Sequence, residues 1–251
     1  MPRPERSYRT PAIILKRFDL GEADRLLTIL TPQYGKLEAV AKGARKLTSH
    51  KTGHVELFTR ADMLLNRGRE LDVVNQCEMT AAYLPLREDL MRGAYANYCA
   101  EMLDRFTSSG EDDGAARLFK LFDETLARLC DEGDPRLVVR YYELHLLEIV
   151  GYRPELARCV IGGETIQAED QYFSNAEGGV VCPKDAVRGT ATTQISMRAL
   201  KVLRHLQRGG YPQALIVPPE LHDEVERVQQ GYITYLLERR LKSVDFIRRV
   251  R

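Results

Sequence analysis

AIILKRFDLGEADRLLTILTPQYGKLEAVAKG, residues 12–43, holds three short runs of branched and apolar side chains, at 12–18, 24–31 and 36–43, cut by Gly21, Pro32, Gly35 and Gly43. Runs of this length between turn residues read as β-strands, because branched side chains pack well on a pleated surface while Gly and Pro interrupt it. Two further runs follow, HVELFTRADMLL at 54–65 and ELDVVNQCEM at 70–79, after breaks at Gly53 and Gly68. Five strands in so short a span match the size of an OB-fold barrel. The segment NRGR, 66–69, is expected as a tight turn joining the last two.

Past Leu84 and Pro85 the apolar period lengthens. Leu86, Leu90, Tyr95, Tyr98, Cys99, Met102, Leu103 and Phe106 recur at three and four, which places one buried stripe on a helix. Further helices are expected at 115–129, at 135–150 with Asp134 as N-cap and Pro135 at the first position, at 196–207 and at about 219–241. Residues 152–192 show Gly pairs and strand-like runs without helical period, an excursion from a helical body. The expected class is α+β. Residues 1–80 form an OB-fold domain, and 81–251 a helical domain with a knuckle-like insertion at about 152–192.

The net charge of +1 conceals an uneven distribution. Residues 1–60 carry 12 Lys/Arg against 6 Asp/Glu, 101–134 carry 4 against 10, and 236–251 carry 6 against 2. Basic ends flank an acidic middle, a pattern compatible with a polyanionic partner despite the neutral average. No apolar stretch approaches the roughly 20 residues of a membrane span, and MPRPERSYRT lacks a signal-peptide core, so a cytoplasmic location is expected. Five Cys at 77, 99, 130, 159 and 182 do not suggest a disulfide framework.

The densest basic stretch is AKGARKLTSHK, 41–51, in which Lys42, Arg45, Lys46 and Lys51 crowd a Gly-containing connection between strands. Such a loop is either solvated surface or a phosphate grip whose affinity falls with salt as counterions compete. Lys16, Arg17, Arg25 and Lys36 belong to the same barrel and favour the second reading. Tyr8, Phe18, Tyr34 and Phe58 are the barrel aromatics available for base stacking, each more readily placed in a core. Catalytic machinery is not expected: the chain has no P-loop, no His-Glu-x-x-His and no nucleophile elbow. His50 and His54 lie on a loop rather than on one helix face, and the acidic run 111–113 reads as a solvated connection.

CVIGGETIQAEDQYFSNAEGGVVCPKDA, 159–186, looks like two metal-binding turns from which half the thiols are missing: Gly162 stands three residues after Cys159, and Asp185 three after Cys182. Cys159, Cys182 and Asp185 make three donors, and Glu164, Glu169 or Asp170 would have to supply a fourth. No cofactor is therefore expected, and zinc is the disfavoured reading.

In order along the chain, YRTPAIILK (8–16), EAD (22–24), YGK (34–36), AKGARK (41–46), GYRP (151–154), FS (173–174), GG (178–179) and LKS (241–243) together resemble the RecO family of bacterial DNA repair proteins. The resemblance implies an OB-fold, a helical C-terminal domain, and a zinc knuckle that only some members fill. It implies a recombination mediator that is not an enzyme, binds single- and double-stranded DNA and anneals complementary strands. The implied partners are RecR, with RecF in the wider pathway, the C-terminal tail of single-strand-binding protein, and RecA, which it helps to load. The expected DNA contacts are Lys16, Arg17, Arg25, Lys36, Lys42, Arg45, Lys46 and Lys51, with 42, 45 and 46 inside a matched motif. The alternative is a protein-interaction adaptor whose basic loop is incidental.

Overall fold

A computed structural model describes residues 6–46, 53–110, 113–131, 133–186 and 191–250. The chain forms two compact units, residues 132–248 making the second and the rest of the chain the first. In the first unit, strands β1 (Ser7–Leu20), β2 (Asp24–Thr31), β3 (Gly35–Ala41), β4 (Arg60–Asn66) and β5 (Asp72–Ala81) close into a barrel in the order β1-β2-β3-β5-β4. All pairs are antiparallel except β3 with β5, where Ala39 faces Asp72 and Val40 faces Val73. This is the OB-fold topology expected from the five runs.

Strand β1 makes the closure possible because it serves two partners. Residues 7–13 pair with β4 and 13–20 with β2, and the register slips between Ile14 and Lys16, where the strand bends. Ala12, Ile14, Leu27, Ile29, Ala39, Met63, Leu65 and Val74 fill the barrel. Ile13, Leu15 and Leu30 are equally buried although they point the other way. Helices cover those outer faces, which is why β1 and β2 read as continuous apolar runs instead of alternating ones.

Among the described residues this unit also has the helices α1 (Pro85–Glu88), α2 (Leu90–Phe106) and α3 (Ala115–Cys130). A single helix was expected over the α1–α2 stretch, but Asp89 divides it. Its carboxylate accepts hydrogen bonds from the N–H groups of Met91 (2.8 Å) and Arg92 (3.0 Å), capping α2, and Leu90 is left 64% exposed. Tyr95, Tyr98, Cys99, Met102 and Leu103 form the buried stripe as read. The expected tight turn at 66–69 is a longer connection, since β5 begins only at Asp72. Gly68 is required there because a Cβ would lie 1.8 Å from the Leu71 carbonyl oxygen.

The second unit holds α4 (Pro135–Ile149), β6 (Gln171–Ser174), β7 (Gly179–Val181), α5 (Pro183–Ala186), β8 (Thr192–Ile195), α6 (Met197–Arg208), α7 (Pro219–Leu237) and α8 (Lys242–Val250). Strands β7-β6-β8 form a small sheet within the excursion. The helix expected to reach Leu241 stops at Glu238, which turns left-handed (φ 54°), and α8 is an element the sequence reading missed.

Asp134 caps α4 by accepting from the Arg136 N–H, and its other oxygen lies 2.7 Å from Nε2 of the buried His222 on α7. Burial pushes the Asp134 carboxyl up, but the bond and attraction of His222 together with the backbone N–H groups of Arg136 and Leu137 outweigh it and hold the group below the usual carboxylate range. Asp134→Ala is expected to cost about 1 kcal/mol for the cap, plus a further 1–3 kcal/mol or so, roughly, for the stranded imidazole. Urea denaturation checks this. No helix among the described residues is long and apolar enough to cross a membrane.

Candidate nucleic-acid interface and cysteine turns

The basic loop leaves β3 at Ala41 and is built by backbone geometry. Gly43 takes φ +67°, and its N–H donates to Asp24 Oδ1 at 2.7 Å. The Arg45 N–H donates to the Ala23 carbonyl at 2.9 Å, and the Arg45 guanidinium reaches the Gly21 carbonyl at 3.2 Å. The loop is thus pinned to the β1–β2 turn, where Lys42, Arg45 and Lys46 are exposed.

On the same hairpin, Phe18 is 59% exposed and faces Leu26 across the strands, with Leu20 two residues on. Of the four barrel aromatics, only Phe18 is open in this way. Phe58 is buried, and Tyr8 and Tyr34 pack on each other at 4.5 Å with Arg67 over the Tyr8 ring. His54 Nδ1 accepts from the Met79 N–H at 2.9 Å, while His50 and residues 111 and 112 lie outside the described residues.

The eight expected cations separate into groups. Arg17 and Arg25 share Glu56, at 2.6 and 3.0 Å, and Asp19 lies 3.8 Å from Arg25 and 3.5 Å from Arg45. These carboxylates hold the guanidiniums in place at the loop end of the barrel and moderate its positive potential.

Lys16 and Lys36 are turned to α2 instead. Lys16 points to the opposite face of β1 from Arg17, as strand alternation demands, and pairs with Asp104. Lys36 is 8% exposed, and its ammonium donates to Asp104 Oδ1 (3.1 Å), the Asp104 carbonyl (2.7 Å) and the Thr107 carbonyl (2.6 Å). It satisfies the last carbonyls of α2, where a cation is also favoured by the helix dipole. Lys51 lies outside the described residues. Asp104 was missed in the sequence; the available signal was an acid bordering the buried stripe of α2.

In the second unit the two cysteine turns face each other. The first is a hairpin in which the Cys159 N–H donates to the Glu164 carbonyl (2.8 Å) and the Gly163 N–H to the Cys159 carbonyl (2.8 Å). The second follows β7, where the Asp185 N–H donates to the Cys182 carbonyl at 3.0 Å. The pairing of Val160 N–H with the Val180 carbonyl (2.9 Å) brings the turns together.

Cys159 and Asp185 are buried. Both thiols donate to Asp185 Oδ2, from Cys159 at 3.3 Å and Cys182 at 2.9 Å, and Cys159 Sγ accepts from the N–H groups of Gly162 (3.3 Å) and Cys182 (3.4 Å). Burial, then the bonds with Asp185 and Cys159, push the Cys182 thiol up to about 11. Of the three candidates for a fourth donor, Glu164 is the one in place: one donor atom each from Cys159, Glu164, Cys182 and Asp185 lie within 4.8 Å of one another. Asp170 instead accepts from the Met197 N–H at 2.9 Å. By donor chemistry the set fits a thiophilic divalent cation.

Comparison with known proteins gives a consistent result across the chain. A family model described as Recombination protein O N terminal matches residues 6–83, and one described as Recombination protein O C terminal matches 87–245. A protein of Roseiflexus sp. (strain RS-1) named DNA repair protein RecO is 40% identical over 249 residues, covering 98% of this chain and 87% of the relative. Proteins of the same name from Pelotomaculum thermopropionicum and Dehalococcoides mccartyi (strain ATCC BAA-2266 / KCTC 15142 / 195) are 37% and 35% identical, over 96% and 97% of this chain and 94% and 96% of the relatives.

Proposed function

The chain belongs to the RecO family of DNA repair proteins, and from that premise we propose that it is a non-catalytic recombination mediator that holds DNA on the loop end of its barrel. The observation that carries the reading is the pinned loop: Lys42, Arg45 and Lys46 project from a turn fixed by its own backbone to the hairpin that exposes Phe18. Cations there neutralise phosphates of single- or double-stranded DNA and release condensed counterions. Two strands held on such a surface repel each other less and meet at higher local concentration, so complementary bases pair without any covalent step. Sequence is read by pairing itself, and the protein grips backbone.

Arg17 and Arg25 border this surface. Lys16 and Lys36 act in the proposal as ties between barrel and α2 rather than as DNA contacts. In the same reading the protein works with RecR, and with RecF, on strands coated by single-strand-binding protein, engages the C-terminal tail of that protein, and prepares DNA for RecA in the bacterial cytoplasm.

Phe18 offers its ring to an unpaired base, an interaction worth about 1–3 kcal/mol. Phe18→Ala is therefore expected to weaken binding of a single-stranded oligonucleotide by roughly 5- to 150-fold. Binding of the corresponding duplex, whose bases are already stacked, should change far less. Fluorescence anisotropy with both forms tests this, and equal losses on the two would remove Phe18 from the interface.

A further inference from the structure

Helix α6, MRALKVLRHLQR, contains no acid. Ala199, Leu200, Leu203 and Leu206 are its buried stripe. Arg198, Lys201, His205 and Arg208, spaced by three, four and three, share the opposite, exposed face. At the rise of a helix this row is about 15 Å long. Among the described residues none of Arg198, Lys201 and Arg208 forms an ion pair. The acids at the start of the helix are engaged with its cap: Asp170 accepts from the Met197 N–H (2.9 Å), and Glu224 from the N–H (2.6 Å) and hydroxyl (2.7 Å) of Ser196.

At its other end the row meets a cleft of about 220 Å³ between the last turns of α6 and residues 153–157. Arg153, Arg204 and Arg208 line it. Arg204 is held in place by the bond from its Nε to the Leu156 carbonyl (2.7 Å), and Gln207 beside it by a bond to the Pro154 carbonyl (2.8 Å). Glu155 is the acid in the lining, and its carboxylate is taken by the N–H groups of Ala157 (2.6 Å) and Arg158 (3.1 Å). Arg153 reaches Glu148 only at 4.0 Å. Burial and then the charge of Arg208 lower the Arg204 guanidinium, against the pull of Glu155. The cleft thus concentrates more positive charge than its own acid offsets.

We infer that the exposed face of α6 and this cleft form a second phosphate-binding surface, on the unit that does not carry the basic loop, and that it holds a further stretch of DNA backbone. The inference deepens the function proposed above and rests on it for the class of ligand. A row of cations suits a chain that carries a charge at every step. An acidic peptide would need apolar anchors as well, and α6 exposes no large apolar side chain. At the cleft, planar guanidiniums offer the paired donors that a phosphate accepts.

The test uses the full chain with Arg198, Lys201 and Arg208 together changed to Gln, a residue of similar helix propensity, so that the fold is kept. The variant should bind single-stranded DNA about 10-fold less tightly at low salt, and the slope of log K against log salt should fall by about 2. Arg198→Lys/Arg208→Lys, which keeps the charge, should retain that slope; a loss equal to that of the Gln variant would mean that the charges are not what binds. Anisotropy of the unaltered protein, both α6 variants and the Lys42, Arg45 and Lys46 charge-reversal variant, titrated side by side, separates the two surfaces. Unchanged affinity and slope in the Gln variant, with a loss in the loop variant, overturns this inference and leaves the proposed function standing. The converse pattern removes the loop from the interface and sustains α6. A Gln variant that keeps its DNA affinity but loses affinity for a poly-glutamate peptide would assign the surface to an acidic protein and overturn the DNA assignment.

Discussion

Replacing Lys42, Arg45 and Lys46 together by Glu is expected to lower affinity for single-stranded DNA on the order of 100-fold at low salt, and to reduce the slope of log K against log salt by about 2. The three residues share one loop whose backbone is fixed by bonds from Gly43 to Asp24 and from Arg45 to Ala23. Their side chains lie outside the barrel core, so the substitutions leave that core untouched; Arg45→Glu also removes the exposed bond to the Gly21 carbonyl and the pair with Asp19, so the unfolding midpoint should fall only slightly. A protein-interaction adaptor with an incidental basic loop would give the opposite result, with affinity and salt slope unchanged. Anisotropy titrations over a salt series read both quantities.

The second large effect is on stability. Asp104→Ala removes the carboxylate that Lys36 and Lys16 share at the junction of barrel and α2. Breaking a buried pair from one side costs about 3–5 kcal/mol, and the lower end applies because the Asp104 and Thr107 carbonyls still receive the Lys36 ammonium.

Burial alone would raise the Asp104 carboxyl, yet the hydrogen bonds from Lys16 and Lys36 outweigh it and hold the group below its ordinary value. The stabilisation is therefore fully present above about pH 4, the unfolded value, and is lost as pH falls through the lower folded value. The parent protein should lose stability over that acid range, and Asp104→Ala should lose less of it. Lys36→Met should likewise destabilise the protein while leaving the salt slope of DNA binding intact, which separates a structural lysine from a phosphate contact. Denaturant titrations at several pH values, paired with binding of the folded variants, check these outcomes.

What could be read from the residues, and what could not, follows from the range of the interactions. Four of the five strand runs, the α2 stripe and the Asp134–Pro135 helix start are local patterns, and they stand near where the periods place them; the fourth run, 54–65, is strand only from Arg60 onward. The division at Asp89 needed the knowledge that a carboxylate inside an apolar period would turn back on the backbone. The end of α7 at Glu238 rests on a left-handed residue that is not Gly, for which the sequence has no marker.

The site shows the same limit. The loop at 42–46 was visible as charge density, but Lys16 and Arg17 look alike in the sequence and differ only because adjacent strand residues face opposite sides. Lys36 looked like a surface cation because its acceptors lie on α2 and just past its end, well over sixty residues away in sequence. Phe18 looked like core because nothing local reveals that the β1–β2 hairpin extends past its covering helices. Glu164 was one of three acids of similar spacing, and only the pairing of the two turns selects it.

The central claim is that exposed cations on one loop hold two strands by displacing their counterions, and strand annealing tests it most directly. Mixing complementary fluorescent oligonucleotides with the protein from low to high salt should show strong acceleration at low salt that declines steeply as salt rises, and little acceleration by the Lys42, Arg45 and Lys46 charge-reversal variant. Annealing unaffected by the protein at low salt, or accelerated equally at every salt concentration, would contradict it.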